Sequence, residues 1–396
     1  PALWLRAGSE DRDDLFAALV RPFNAQQNLL AETSPSAQAR AVRLVLAQHK
    51  ISLIVLDDVW NGRALTQLLN VNAIPQGVPI LVTSRHRFTG LTRLDVGKLS
   101  RAASLALLGD EGWADDPDAN ALCESLGDHA FAVRVAGLTL ALDGMSPGEL
   151  LERISAAPWK LTAPDGTEEE GRTSIEDLLT TSLYSLDAEA RATFLAFGAF
   201  FTSNVTPELL AIYMGRKEAE IEDALNRLQR RGLAERVSET DERAVEYRIH
   251  DLAYSYAKAQ NDDAGRHKAL DACLEYLNRY KEPKPENFAA LRSELDNFTG
   301  AVNWAMTVER YVEVERFADW LYRSLDSDTT EGFLHLQGYA GVATNLLQKA
   351  ADAAEALGEK RHQASYLGSL GSAYRDLGQV KNGMRYYRLA LKIYRD

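Results

Sequence analysis

Apolar and polar residues follow two alternating spacings over the first ninety positions. Leu3-Trp4-Leu5 is a short apolar segment, Ile51-Ser52-Leu53-Ile54-Val55-Leu56 is nearly continuous apolar, and Pro79-Ile80-Leu81-Val82-Thr83 is a third such run. Short runs of this kind predict strands buried on both faces. Helical signals lie between them. A helix over Asp11 to Val20 carries acids in its first turn, where the helix dipole favours them. Ser34 is a good N-cap for a helix over Ser36 to Gln48, and Pro35 suits its first turn. Ala64 to Leu69 reads as a short helix. Strands alternating with helices imply a parallel sheet.

After about residue 92 the strand signal fades. Ser100 caps a helix over Arg101 to Leu108, and Pro117 to Leu126 and Phe131 to Leu142 are further helices. Pro158 to Gly171, with its acid run Glu168-Glu169-Glu170, reads as an exposed linker. Helices follow over 174–184, 187–201, 206–214 and 217–231, then Gly232 to Val237, a polar stretch Ser238 to Arg243, and Val245 to Ile249. Helices followed by a hairpin with a polar tip are the pattern of a winged helix. His250 to Ala259 opens the next helix, and the chain is helical from 263 onward.

The last segment has a repeat-like spacing. Leu367, Leu370-Gly371, Tyr374, Leu377-Gly378, Gly383, Tyr387 and Ala390 fit the tetratricopeptide pattern of small and large packing positions. Gly371 and Gly383 would let two antiparallel helices approach, with Tyr374 and Tyr387 beside them. Leu336 to Leu357 reads as a preceding, more divergent helix pair. One good repeat and one weak one are fewer than the roughly three a stable array needs, so more repeats are expected past Asp396.

Composition narrows the classes. The 396 residues are 46% hydrophobic and 26% charged, a globular composition long enough for several domains. A net charge of −13 argues against a chain built mainly to bind nucleic acid or an anionic membrane. Cys123 and Cys273 lie far apart and suggest a reducing cytoplasm with no disulfide scaffold. No apolar run reaches transmembrane length and no signal peptide is apparent.

The chemistry concentrates at Asp57-Asp58, directly after the most apolar strand. In doubly wound sheets the carboxyl ends of the strands are where ligands bind. Two adjacent acids there are costly without a nearby cation. A Walker B strand uses this arrangement, one Asp holding Mg²⁺ and a neighbouring acid orienting the attacking water. The same doublet also suits a strand ending in a polar turn. Thr83-Ser84-Arg85 close the next strand, and a cation at Arg85 would suit a terminal phosphate. A surface arginine at a strand exit is the plainer reading of Arg85.

This pair of strands resembles the kinase-2 and sensor-1 motifs of NB-ARC domains, in the STAND class of signalling NTPases. Further similarities follow in the family's order. Leu99-Ser100 with Ala102, Ala103 and Leu107-Leu108 resembles the opening of its helical subdomain. Leu126-Gly127-Asp128-His129-Ala130-Phe131-Ala132 resembles the Gly-x-Pro region, and Arg248-Ile249-His250-Asp251-Leu252 the Met-His-Asp motif. The resemblance implies a multidomain chain, α/β and then mainly α. A partial P-loop-type parallel-sheet domain would span 1–92, a helical subdomain 93–160 and a winged-helix domain 166–262. A helical linker at 263–330 and the start of a tetratricopeptide-like α-solenoid at 331–396 would follow.

The resemblance also implies roles. Asp57 would hold Mg²⁺, Asp58 would be the catalytic acid, Arg85 would contact the γ-phosphate, and Thr83 would belong to the cofactor-binding set. Ala130 would lie against the adenine and His250 would reach the β-phosphate of ADP. The family is a slow ATPase switched between ADP and ATP, oligomerising when active. A protein or peptide would bind the repeats, and an effector domain would lie upstream. Two departures stand out. Ala130 occupies the place of the family's adenine-packing proline. No Gly-x-x-x-x-Gly-Lys-Ser/Thr occurs, the one Gly-Lys pair being Gly97-Lys98 before Leu99, with Thr92 at the first glycine position. In the family that loop precedes the strand at Leu3, so truncation just before Pro1 is expected, with a degenerate NTPase second.

Two other functions compete. A transcription factor would read DNA with Lys217 to Arg231, but Glu218, Glu220, Glu222 and Asp223 crowd that helix's amino-terminal half, and the hairpin carries Glu239, Asp241, Glu242 and Glu246. No direct nucleic-acid contact is therefore expected from this segment, although a DNA-binding domain upstream would fit. A third possibility is an adaptor with a dead nucleotide site.

Overall fold

The computed structural model describes residues 1–396 apart from 9, 31, 33, 85–87, 89, 95, 110–112, 114, 157–171, 238–243, 323–331 and 396. The polar linker at Pro158 to Gly171, the hairpin tip and Arg85 therefore lie outside the described residues. The chain is mostly helical, with a small parallel sheet and a small antiparallel one. No helix among the described residues is long and apolar enough to cross a membrane. Cys123 and Cys273 are both buried and form no disulfide.

The chain divides into two compact units. The first comprises 1–92, 277–291 and 302–396. Its sheet runs β1 (Ala2–Arg6), β2 (Leu53–Asp57) and β3 (Ile80–Val82), all parallel, with β2 in the middle. The register sets Leu5 beside Leu56 and Arg6 beside Asp57. One face buries Leu3, Ile54 and Leu56 against Leu15, Leu19, Val42, Leu46 and Leu68 from the intervening helices. The helix Arg12–Val20 is apolar on nearly every side, and from Asp14 to Val20 every residue is buried. Such a helix belongs inside a core. Asp11 caps it, accepting from the backbone N–H groups of Asp13 and Asp14.

The other face of the sheet differs from expectation. Val55 is buried, but its register neighbours Trp4 and Leu81 are 66% and 54% exposed. Only the central strand is covered on both faces. The apolar run at 79–83 belongs to an edge strand, and period alone does not separate an edge from a centre.

In the same unit, Leu336 to Leu357 is not a helix pair. A short helix Phe333–Leu336 stops at Gly338, whose φ of +71° glycine adopts readily, and one continuous helix Ala340–Ala356 follows. Helices Lys360–Asp376 and Val380–Arg395 complete the array. Gly371 and Gly383 bring these last two helices together: a Cβ on Gly383 would lie 2.8 Å from the Gly371 carbonyl oxygen. Tyr374 stacks on Tyr386 at 5.2 Å, and Tyr387 Oη lies 2.9 Å from Ser372 Oγ.

The second unit comprises 93–276 and 292–301. It is helical apart from β4 (Asn204–Val205), β5 (Glu235–Val237) and β6 (Glu246–Arg248), an antiparallel sheet with β6 between the others. β4 has no counterpart in the sequence reading, because two residues are too few for a period-2 signal. A buried polar cluster fastens the unit. Glu294 accepts from the Thr206 N–H at 2.6 Å and from Asn297 Nδ2 at 2.7 Å. Asn297 also donates to the Asn204 carbonyl and accepts from the N–H groups of Phe201 and Thr202. Burial, outweighing these bonds, pushes the Glu294 carboxyl up to about 8.

Candidate functional site

At the carboxyl end of the parallel sheet the strands deliver Arg6, Asp57 and Thr83 to one edge, as their register requires. Thr83 joins the acid doublet together. Its hydroxyl donates to Asp57 Oδ1 at 2.5 Å and accepts from the Asp58 N–H at 2.8 Å. The backbone continues the ladder past the strands, with Thr83 N–H on the Leu56 carbonyl and Val59 N–H on the Thr83 carbonyl. Ser84 Oγ donates to the Val59 carbonyl. Between these anchors Asp58 takes a left-handed φ of +55°. Asp tolerates that region better than most residues, though still at some cost, and such strain gathers at functional sites.

Asp58 is also held from two sides. Trp60 Nε1 donates to its Oδ1 at 2.7 Å, and Arg6 Nη2 stands 3.7 Å from its Oδ2. Arg6 is thus a cation beside Asp58. Asp57 is the less encumbered of the two acids. Sequence reasoning assigned no role to Arg6 or Trp60. The signal for Arg6 was its position at the end of the first strand, but its register against Asp57 is a tertiary fact.

The second unit holds the other two predicted residues that are described. Ala130 is the exposed first residue of helix Ala130–Asp143, and His250 is the N-cap of helix Asp251–Ala259. His250 Nδ1 accepts from the Leu252 N–H at 3.2 Å. An acceptor at Nδ1 places the proton of the neutral ring on Nε2. The ring stacks on Phe131 at 4.1 Å and meets His129 edge-on at 5.7 Å. Burial, then the neighbouring His129, lower its pKa below the ordinary histidine value, and Asp251 pulls the other way. The geometry thus leaves Nε2 as the N–H donor of the neutral ring. Phe131 lay within the Gly-x-Pro-like stretch, yet nothing in the sequence paired it with a residue more than a hundred positions away.

The stretch before Phe131 is firmly positioned. Arg101 binds Asp128 through two bonds of 2.9 Å and also donates to the Asn120 carbonyl. The Arg101 bond holds the Asp128 carboxyl below its usual range. Leu99 N–H donates to the Asp128 carbonyl.

At the carboxyl end of helix Glu218–Arg230 two arginines are engaged within the unit. Arg227 pairs with Asp187 at 2.9 Å and Glu189 at 3.1 Å, and Arg231, just beyond the helix, pairs with Asp143 at 2.7 Å. No family model matches the chain, and none of the curated proteins matches it.

Proposed function

We propose that the chain is part of a nucleotide-controlled signalling switch of the STAND, NB-ARC-like type, with ADP holding the off state and ATP the on state. The observation that carries this reading is the set of groups at the sheet edge, where Asp57, Asp58, Thr83 and Arg6 meet beyond the carboxyl ends of three parallel strands. Ligands of open parallel sheets bind at that edge.

Mg²⁺ takes hard oxygen ligands, and the Asp57 carboxylate is of that chemistry. It keeps acceptor capacity beyond the one bond from Thr83. Asp58 is engaged by Trp60 and Arg6, so the metal-ligand role falls to Asp57 and Asp58 is left to orient water. When bound, Mg²⁺ neutralises charge on the terminal phosphates. Arg6 would steady the same charge. In the second unit His250 keeps Nε2 as its N–H donor and stacks on Phe131; a phosphate contact there is what the family resemblance implies, and is proposed of that unit by itself.

The helices at 340–395 follow the tetratricopeptide pattern and are the proposed sensor for a protein or peptide. Met384, Leu391 and Tyr394 lie exposed on the last of them. Oligomerisation in the active state would drive an effector. Direct nucleic-acid contact is disfavoured because Arg227 and Arg231 are already paired with acids.

Calorimetric titration of ADP, with and without Mg²⁺, tests the reading. Binding is expected to strengthen with Mg²⁺ in the parent protein, and Asp57→Asn should abolish that dependence. Absence of any adenine-nucleotide binding at millimolar concentration contradicts the proposal.

A further inference from the structure

We propose that Glu315, Glu359 and His362 form a binding site for one divalent transition-metal ion of the Zn²⁺ type. The three residues belong to the first unit and lie away from the sheet edge in sequence. Glu315 is on helix Tyr311–Tyr322, Glu359 is the N-cap of helix Lys360–Asp376, and His362 is in that helix's first turn. Residues three apart share one helix face, so Glu359 and His362 project together.

Both carboxylates converge on a single ring nitrogen. His362 Nδ1 lies 3.2 Å from Glu315 Oε1 and 2.7 Å from Glu359 Oε2. A hydrogen on that nitrogen serves two anionic acceptors at once, whereas a divalent cation among the three atoms would satisfy all of them. The Glu315 side chain is only 9% exposed, and His362 is its one hydrogen-bonding and ion-pairing partner among the described residues. A buried carboxylate depends strongly on whatever cation faces it.

The spacing suits a metal. Bonds of about 2.0–2.2 Å at a tetrahedral angle set ligand atoms roughly 3.3–3.6 Å apart. The Glu315 contact, at 3.2 Å, lies just short of that spacing. The Glu359 contact needs only a small opening, and Glu359 and His362 are both exposed enough to move. One nitrogen and two carboxylate oxygens select Zn²⁺ and its neighbours over Mg²⁺ or Ca²⁺, which prefer all-oxygen sites. Three protein ligands leave a fourth position for water. A bound ion would tie helix 311–322 to helix 360–376.

The test is titration of Zn²⁺ alone into the 396-residue chain, followed by calorimetry. One equivalent is expected to bind to the parent protein. Glu315→Gln, which keeps the buried shape, and His362→Ala, at an exposed position, should each weaken binding at least tenfold while leaving the circular dichroism spectrum unchanged. Failure of the parent chain to take up one equivalent overturns the proposal, as does uptake that persists unchanged in both variants.

Discussion

Glu294 and His250 pull the pH dependence of stability in opposite directions. Glu294 has its folded pKa raised to about 8 from an ordinary 4.5, chiefly by burial. Between those values the folded chain holds a proton that the unfolded chain has released. Its contribution to stability is therefore complete below pH 4.5 and is lost as pH rises through about 8. Denaturant melts at pH 6 and pH 9 should show the loss, and Glu294→Gln should reduce it. His250 runs the other way. Its pKa is depressed on folding, so its stabilising neutral form is present above the ordinary histidine value and is lost as pH falls through the lowered one. His250→Asn, which can still cap the helix, should lessen destabilisation on acidification in the same melts.

Among the elements, the two helical glycines at 371 and 383 make the sharpest contrast with a third at 368. Alanine is the better helix former by about 1 kcal/mol, so a helical glycine with free space around it should gain stability on substitution. A Cβ added at Gly368 would meet nothing within 4 Å among the described residues, and Gly368→Ala should raise the melting temperature. Gly383→Ala places its Cβ 2.8 Å from the Gly371 backbone oxygen and should lower it, despite the same gain in propensity. Thermal melts of the two variants give the two signs. The sequence made this pair legible because small residues recur at the packing positions of a helix pair. It also marked β2, since the run Ile54-Val55-Leu56 is buried on both faces. Elements fixed by partners rather than by their own period were not legible. β4 is too short to show a period. Over Leu336 to Leu357 the pattern suggests a helix pair where one continuous helix, Ala340–Ala356, runs, because the break at Gly338 gives no sign of how far the next helix extends. The exposure of Trp4 and Leu81 depends on what covers the sheet, which no local pattern records.

For the whole molecule, the grouping of residues into units rests on contacts very distant in sequence. In the first unit Asp14 accepts from the Gly341 N–H at 3.0 Å, and Arg21 lies 3.8 Å above the Tyr339 ring while donating to the Gln337 carbonyl. These contacts join the sheet segment to the helices near 340, across more than three hundred residues. Burial, and then the charges of Asp11 and Glu10, raise the Asp14 pKa well above the ordinary value. Asp14→Asn removes a desolvated charge and keeps an acceptor for Gly341. It should slow amide exchange around 340–343 at alkaline pH, while Glu294→Gln should act on 201–206 in the second unit. Exchange measured by mass spectrometry at pH 9 would resolve the two, and an effect of each variant confined to the other's unit would contradict this division.

The candidate site was only partly legible in the sequence. Asp57 and Asp58 stand out because acids follow an apolar strand, and His250 because it precedes a helix. Arg6 and Trp60 complete the sheet edge through register, and Phe131 sets the His250 ring within the second unit through stacking, which a single sequence does not encode locally. The central claim, made as a proposal, is that the sheet-edge groups serve an adenine nucleotide. It is tested most directly by following the Trp60 indole N–H resonance, whose group donates to Asp58, while ADP and Mg²⁺ are titrated into the protein. A saturable shift that needs Mg²⁺ and is lost in Asp57→Asn is the predicted result; a resonance that does not move at millimolar ADP would contradict it.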